Sequence, residues 1–142
     1  MKKNNDNDWL RLAVTLSKKC IPTSTAFCVG AVIVDADGNK ITTGYSRETD
    51  SHKHAEEIAI EKALHAKINL AGSTIYSSLE PCGERLSGRK TCAQLIIEIG
   101  IKRVVFAAYE PSKFVKGEGA EFLQKADVEV VFIETGDAID IQ

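Results

Sequence analysis

Four side chains of this 142-residue chain, His54, Glu56, Cys82 and Cys92, have the types and spacing of a metal-dependent hydrolytic site. A structural zinc is closed by four protein ligands, whereas a catalytic zinc keeps three and leaves the fourth position to water. His54, Cys82 and Cys92 supply three. Two thiolates and a neutral imidazole bring Zn²⁺ close to zero net charge, yet the metal can still lower the pKa of its water from 15.7 toward about 7. Glu56 is the acid left over, and proton transfer to and from the reacting atoms is the work that suits it. Positions two apart diverge on a regular helix, so His54 and Glu56 reach one site only if it lies off a helix's N-terminal end. A helix is therefore expected to begin at about His54, with a dipole that favours thiolate and hydroxide by roughly 0.3–1 kcal/mol for an exposed charge.

The elements that must position these residues alternate along the chain. Asp6 or Asp8 is expected to cap a first helix carrying Leu10, Ala13 and Val14 at helical spacing, with Pro22 marking its end. Residues 27–34 form an apolar, β-branched run; the turn signal Asp35-Ala36-Asp37-Gly38 and a second strand at 40–45 complete a hairpin. A second helix spans 54–67 with Ile58, Ala59, Lys62 and Ala63 in register, and Gly72 leads to a strand at 74–79. A third helix at 91–99 is separated by Gly100 from a strand at 103–108, apolar enough to be covered on both faces. A helix at 118–126 and a strand at 128–133 follow. The order αββαβαβαβ implies an α/β fold, a three-layer α/β/α sandwich on a five-stranded mixed sheet, mostly parallel, with the hairpin as an antiparallel pair. His54 then opens the second helix, Cys82 follows the third strand and Cys92 opens the third helix. All three fall at the carboxyl ends of strands, where open α/β sheets hold ligands.

His-x-Glu followed by Pro81-Cys82 and a second cysteine resembles the signature of the cytidine deaminase superfamily, the zinc-dependent nucleobase and nucleotide deaminases. That signature usually has two residues between its cysteines; here residues 83–91 intervene. The longer loop resembles that of the riboflavin-pathway pyrimidine deaminases. Several stretches are similar to the fungal branch in particular: Cys20-Ile21-Pro22-Thr23, Thr25-Ala26-Phe27-Cys28-Val29-Gly30, Gly44-Tyr45-Ser46-Arg47-Glu48, Glu80-Pro81-Cys82, Arg85-Leu86-Ser87-Gly88, and Glu110-Pro111 with Phe114-Val115-Lys116. The resemblance runs from about residue 8 to residue 133. It implies a cytidine deaminase-like fold, Zn²⁺ held by His54, Cys82 and Cys92, and Glu56 as catalytic acid and base.

The reaction implied is hydroxide attack on the amine-bearing ring carbon of an aminopyrimidine. Glu56 would protonate the ring nitrogen and then the departing amine, so that ammonia leaves and a carbonyl remains. The substrate implied is 2,5-diamino-6-ribitylamino-4(3H)-pyrimidinone 5′-phosphate. Bacterial enzymes acting on the ribosylamino compound typically show Pro-Asn-Pro and a histidine where this chain has Thr25-Ala26-Phe27 and Ser46. Ala26, Phe27, Ser46, Arg47, Glu80, Arg85, Ser87, Gly88, Arg89 and Glu110 are the candidate substrate-binding residues. Arg85, Ser87 and Gly88 match the fungal-type loop, whereas Arg89-Lys90 departs from it. Three cations on 84–90 suit a phosphate or polyol and equally suit an ordinary charged surface loop. Glu80 reads equally as a substrate contact and as a locally bonded strand-end carboxylate. Two alternatives stand beside this assignment: a deaminase of cytosine-type substrates such as cytidine or deoxycytidine monophosphate, and a noncatalytic zinc-stabilised binding module, against which Glu56 argues. A separate reductase is expected, and the family commonly forms homodimers or homotetramers.

Composition fits a compact enzyme. A chain of this length is expected to be a single domain over 1–142, with 1–7 and 134–142 peripheral, burying about 68% of its unfolded surface. Eighteen basic and 20 acidic residues give a formal charge of −2 without a basic face, so no nucleic-acid partner is expected. The N-terminus has no apolar stretch behind its lysines, and no membrane span is expected, which points to the cytoplasm. Cys20 and Cys28 read as small packing residues in a reducing compartment. His52 reads as a solvent-side non-ligand, and His65 stands about 16 Å along the helix from His54, too far to share a metal. Glu57 and Glu61 read as solvated positions on the helix surface.

Overall fold

Helix α1 (Asp6–Ser17) is followed by strands β1 (Gly30–Val34) and β2 (Lys40–Tyr45), helix α2 (Ala55–His65), strand β3 (Thr74–Ser77), helix α3 (Cys92–Ile99), strand β4 (Arg103–Phe106), helix α4 (Glu118–Lys125) and strand β5 (Glu129–Phe132) in a computed structural model. It describes residues 4–21, 28–49, 52–81, 90–108 and 118–134. The order of elements is the expected one. Strands order as β2-β1-β3-β4-β5. The "mostly parallel" expectation is corrected: β3–β4 and β4–β5 are parallel, but β1 runs antiparallel to both β2 and β3. The third strand returns beside the first, not the second, so the hairpin contributes two antiparallel pairings to a mixed sheet.

Side-chain alternation along the strands divides the core into two layers. Ala31, Ile33, Ile75, Val104 and Phe106 face α2, α3 and α4, where they meet Ala55, Ala59, Ala93, Ile96, Ala120 and Leu123. Val32, Val34, Tyr76 and Val105 face α1 and its Trp9, Leu10, Ala13 and Val14. The result is the α/β/α sandwich. Where α1 crosses β1, a Cβ on Gly30 would collide with the Ala13 carbonyl and lie 2.7 Å from the Ser17 nitrogen, so glycine is required for that approach.

Local chemistry explains the ends of the elements. Asn5, not Asp6 or Asp8, caps α1: its Oδ1 accepts from the Asp8 N–H at 2.9 Å, while Asp8 Oδ2 accepts from the Asn5 N–H at 3.0 Å. Asp6 is engaged elsewhere, receiving Arg103 Nη1 and Nη2 at 2.8 and 2.7 Å and the Tyr76 hydroxyl at 2.6 Å. The hairpin turn forms at the expected residues, with Asp35 Oδ1 accepting from the Asp37 and Asn39 N–H groups and Gly38 at φ 89°. Those backbone donors, Asn39 first, hold the Asp35 carboxyl below the ordinary carboxylate range. Among the described residues, no helix is long and apolar enough to cross a membrane.

The packing role expected for Cys20 and Cys28 is also corrected, because the two are joined as a disulfide across a sequence separation of 8. Their backbones stand 5.5 Å apart at Cα, within the ordinary span of such a bond. Residue 28 stands beside residue 20, a juxtaposition that cysteine counting does not reveal.

Candidate active site

His54 and Cys92 stand at the starts of two helices. His54, extended at φ −82° and ψ 159°, is the N-cap of α2. Its backbone N–H donates to Glu57 Oε1 at 3.2 Å. The solvated role expected for Glu57 is therefore corrected: it is buried, and it fixes the residue that opens the helix. Glu61 pairs with Lys53 at 2.7 Å. Cys92 is the first residue of α3, directly after the N-cap Thr91, whose Oγ1 accepts from the Gln94 N–H at 3.1 Å while Gln94 Oε1 accepts from the Thr91 N–H at 2.8 Å. The α3 turn carries a reciprocal cap and the α2 turn is closed by Glu57 on the His54 N–H, so the side chains at both helix starts are set by local backbone geometry and not by surface contacts alone.

These caps bring His54 Nδ1 to 3.3 Å from Cys92 Sγ. Tetrahedral Zn–N and Zn–S bonds of about 2.0 and 2.3 Å would separate a nitrogen and a sulfur by roughly 3.5 Å, so the pair fits two corners of a zinc site. Cys92 is a fully buried thiol. Glu56 is 3% exposed, with Oε1 3.8 Å from Cys92 Sγ and Oε2 3.1 Å from the Ser77 hydroxyl. The structure thus brings together a candidate nitrogen ligand, a candidate sulfur ligand and an inward carboxylate at the N-terminal ends of two helices. Two of the three candidate ligands and the carboxylate are adjacent, and both helix dipoles favour negative charge there.

The supports of α2 explain how its first turn is held. A Cβ on Gly44 would lie 2.5 Å from the Ala55 oxygen and 2.9 Å from the Ala59 nitrogen, so α2 rests directly on β2 because that residue has no side chain. Thr42 Oγ1 donates to the Ala59 oxygen at 2.8 Å, and Lys62 Nζ reaches the Thr43 oxygen and the Glu48 carboxylate at 2.8 Å. The Arg47 N–H donates to the Lys53 oxygen at 3.0 Å from a left-handed backbone, φ 61°, which turns the chain into the helix.

Of the other candidates, Cys82, Ala26, Phe27, Arg85, Ser87, Gly88, Arg89 and Glu110 lie outside the described residues. Ser46, Arg47 and Glu80 are described, and each contacts protein. Ser46 Oγ accepts from the Val29 N–H at 2.8 Å and joins the end of β2 to the start of β1. Arg47 Nη2 lies 2.6 Å from Cys20 Sγ and donates to the Ile21 oxygen at 2.9 Å. Glu80 is buried, and its Oε2 accepts from the Ala120 N–H at 3.0 Å, so this strand-end carboxylate caps α4. These contacts give all three a supporting role in the fold around the site. His52 is exposed, and His65 is exposed at the far end of α2.

Three contributors were missed by the sequence reading. Glu57 stands at the third helical position, where a capping box places its acid, but the usual Ser or Thr N-cap is replaced by His54. Gly44 inside a strand is a sign of close backbone approach. Ser77 shares the inward face of β3 with Ile75, which period-2 alternation makes legible.

A family model described as the cytidine and deoxycytidylate deaminase zinc-binding region matches residues 3–108. The chain is 44% identical over 133 residues to the diaminohydroxyphosphoribosylamino-pyrimidine deaminase of Schizosaccharomyces pombe, a match covering 92% of this chain and 33% of that protein. It is 39% identical over 132 residues to the riboflavin biosynthesis protein RibD of Actinobacillus pleuropneumoniae, covering 92% and 33%. The chain therefore spans about a third of the length of these relatives. Among solved structures, a C-terminal deletion mutant of the Rib2 deaminase of Aspergillus oryzae superposes with a TM-score of 0.81 at 26% identity, covering 92% of this chain and 85% of that one. The same deaminase in complex with DARIPP superposes with a TM-score of 0.79 at 27% identity, covering 92% and 84%. With the family match spanning His54, Glu56 and Cys92 on a fold shared with that deaminase, this chain belongs to the cytidine and deoxycytidylate deaminase zinc-binding family.

Proposed function

We propose that this chain hydrolytically deaminates an aminopyrimidine, with 2,5-diamino-6-ribitylamino-4(3H)-pyrimidinone 5′-phosphate as substrate, ammonia and the corresponding pyrimidinedione as products, and a place in riboflavin biosynthesis. The observation that carries this reading is the buried Glu56 carboxylate, one oxygen on Ser77 and the other facing Cys92, two residues from His54. His54 Nδ1, Cys92 Sγ and the Cys82 thiolate would hold zinc, which supplies Lewis-acid activation of water at neutral pH.

The steps assigned to the chain's own groups are proton movements at Glu56. Oε1 takes a proton from the attacking water, and the carboxyl returns it to the ring nitrogen. Once the ring carbon is tetrahedral, the carboxylate takes the proton of the new C–OH group and passes it to the amine, so that the C–N bond breaks, ammonia leaves and the carbonyl forms. The fungal-type residues Thr25-Ala26-Phe27 and Ser46, with Arg85, Ser87 and Gly88, support the ribityl compound. The name of the S. pombe relative specifies a phosphoribosylamino-pyrimidine, so the ribosyl analogue is a necessary arm of any test. A homodimer or homotetramer in the cytoplasm belongs to the same proposal, and sedimentation velocity checks the first part.

The test is ammonia release by the zinc-loaded chain on the ribityl compound, its ribosyl analogue and deoxycytidine monophosphate. Preference for the ribityl compound supports the reading, and activity on deoxycytidine monophosphate alone reverses it. Glu56→Ala should retain zinc and lose about 10²–10⁴-fold in turnover. Full zinc with wild-type turnover removes Glu56 from the role.

A further inference from the structure

We infer that Ser77 is a positioning residue for the Glu56 carboxylate, an inference that rests on the deaminase reading above. Ser77 ends β3 in the middle of the sheet, opposite Ala31 on one side and Phe106 on the other. Its side chain is fully buried on the face it shares with Ile75, within an otherwise apolar layer. A hydroxyl buried there costs about 1–3 kcal/mol if left without partners. Its backbone is fixed as well, since the Ala107 N–H donates to the Ser77 oxygen at 3.2 Å.

The partners of this hydroxyl define its task. Ser77 Oγ stands 3.1 Å from Glu56 Oε2, 2.6 Å from the Leu79 oxygen and 3.4 Å from the Leu79 nitrogen. A hydroxyl has one proton to give and two lone pairs to receive with, so it cannot donate to Glu56 and to the Leu79 carbonyl together. It lies between the carboxylate and the Leu79 peptide, within hydrogen-bond reach of both.

Ser77 therefore gives Oε2 a fixed, buried neighbour and leaves Oε1 toward Cys92. Leu79 follows β3 by two residues, so the same hydroxyl joins the carboxylate to the backbone leaving that strand end. Glu80 secures that strand end from the other side through α4. An alanine at 77 removes this contact from Oε2.

Two measurements on Ser77→Ala test this. Crystal structures of the zinc-loaded wild type and variant should show Glu56 Oε2 on Ser77 in the first and a redistributed carboxylate in the second. Steady-state kinetics should show kcat reduced about 10- to 100-fold, as for a displaced catalytic group, with KM and zinc content within twofold of wild type. A Glu56 carboxylate that stays in place in the variant, or an unchanged kcat in folded, zinc-replete protein, overturns the inference. A wild type that deaminates none of the three pyrimidines refutes the proposed function instead, while the crystallographic comparison still decides the role of Ser77.

Discussion

Gly44→Ala should disable the site from the opposite side of α2. The new Cβ would meet the Ala55 oxygen at 2.5 Å and the Ala59 nitrogen at 2.9 Å, both backbone atoms that no rotamer change can withdraw. Ordinary contact begins near 3.4 Å, so the first turn of α2 must retreat by about 0.9 Å, a shift of the kind that overpacking forces on backbones. The cost is about 1–3 kcal/mol, or roughly 3–12 °C in Tm for a domain of this size. The same turn carries His54 and Glu56, and a misplacement of about 1 Å costs on the order of 10²-fold in turnover. The expected outcome is a folded protein with a modestly lowered Tm and kcat reduced about 100-fold, measured by ammonia release. Gly72→Ala is the control. Gly72 has φ +81° and nothing within 4 Å, so alanine there meets only the backbone cost of roughly 1–2 kcal/mol and should leave kcat unchanged. If Gly44→Ala keeps kcat within threefold of wild type, or Gly72→Ala loses as much activity, the argument that β2 sets the position of the site is wrong.

Asp6→Asn should lower stability by about 1–2 kcal/mol near neutral pH, since charge-assisted hydrogen bonds of a half-exposed pair are discounted by solvent. The Arg103 bonds hold the Asp6 carboxyl below its ordinary value of 3.8, so its contribution is complete above that value and is lost as pH falls through the lower folded-state pKa. Tyr76 gives the opposite arm: burial first, then Asp6, pushes its ionisation above 10.0, so that contribution is complete below pH 10.0 and fades as pH rises further. Urea unfolding across pH checks both, and an Asp6→Asn stability profile parallel to wild type below pH 4 would contradict the acid arm. Reduction of Cys20–Cys28, or Cys20→Ser, should cost about 2–3 kcal/mol by the chain-entropy relation for a short loop. Equal Tm with and without reductant would show that the bond does not constrain the unfolded chain.

The sequence carried the order of all nine described elements because hydrophobic period and turn residues are local signals. Pairing is not local. The antiparallel return of β3 beside β1, and not beside the preceding β2, depends on where α2 lands, which no window of residues contains. The α1 cap was misread for a related reason: Asp6 has the right chemistry, but a salt bridge to Arg103, 97 residues away, takes its carboxylate, and Asn5 serves instead. His54, Glu56 and Cys92 were legible because their residue types are rare in combination and sit at helix starts. Glu57 was not, since an acid that is buried to receive a backbone N–H looks in sequence like any solvated acid, and for Glu80 the choice between substrate contact and bonded carboxylate turns on an N–H 40 residues away. Cys20 and Cys28 were readable as a pair only by knowing that the chain doubles back.

The burial of Glu56 separates the two broad readings of this site. A zinc that only stabilises a scaffold is served by its ligands and their supports, and for His54 and Cys92 these do not involve Glu56: Glu57 holds His54, and Thr91 with Gln94 holds the start of α3. An extra carboxylate beside a sulfur ligand raises repulsion and desolvation, and burying it without compensation would cost several kcal/mol. The fold meets that cost by placing Ser77 in an apolar layer where a valine or alanine would pack more simply. A scaffold role gives no reason for this pair among the described residues, whereas the proposed deamination does, because its proton transfers need a carboxyl held beside the reacting atoms.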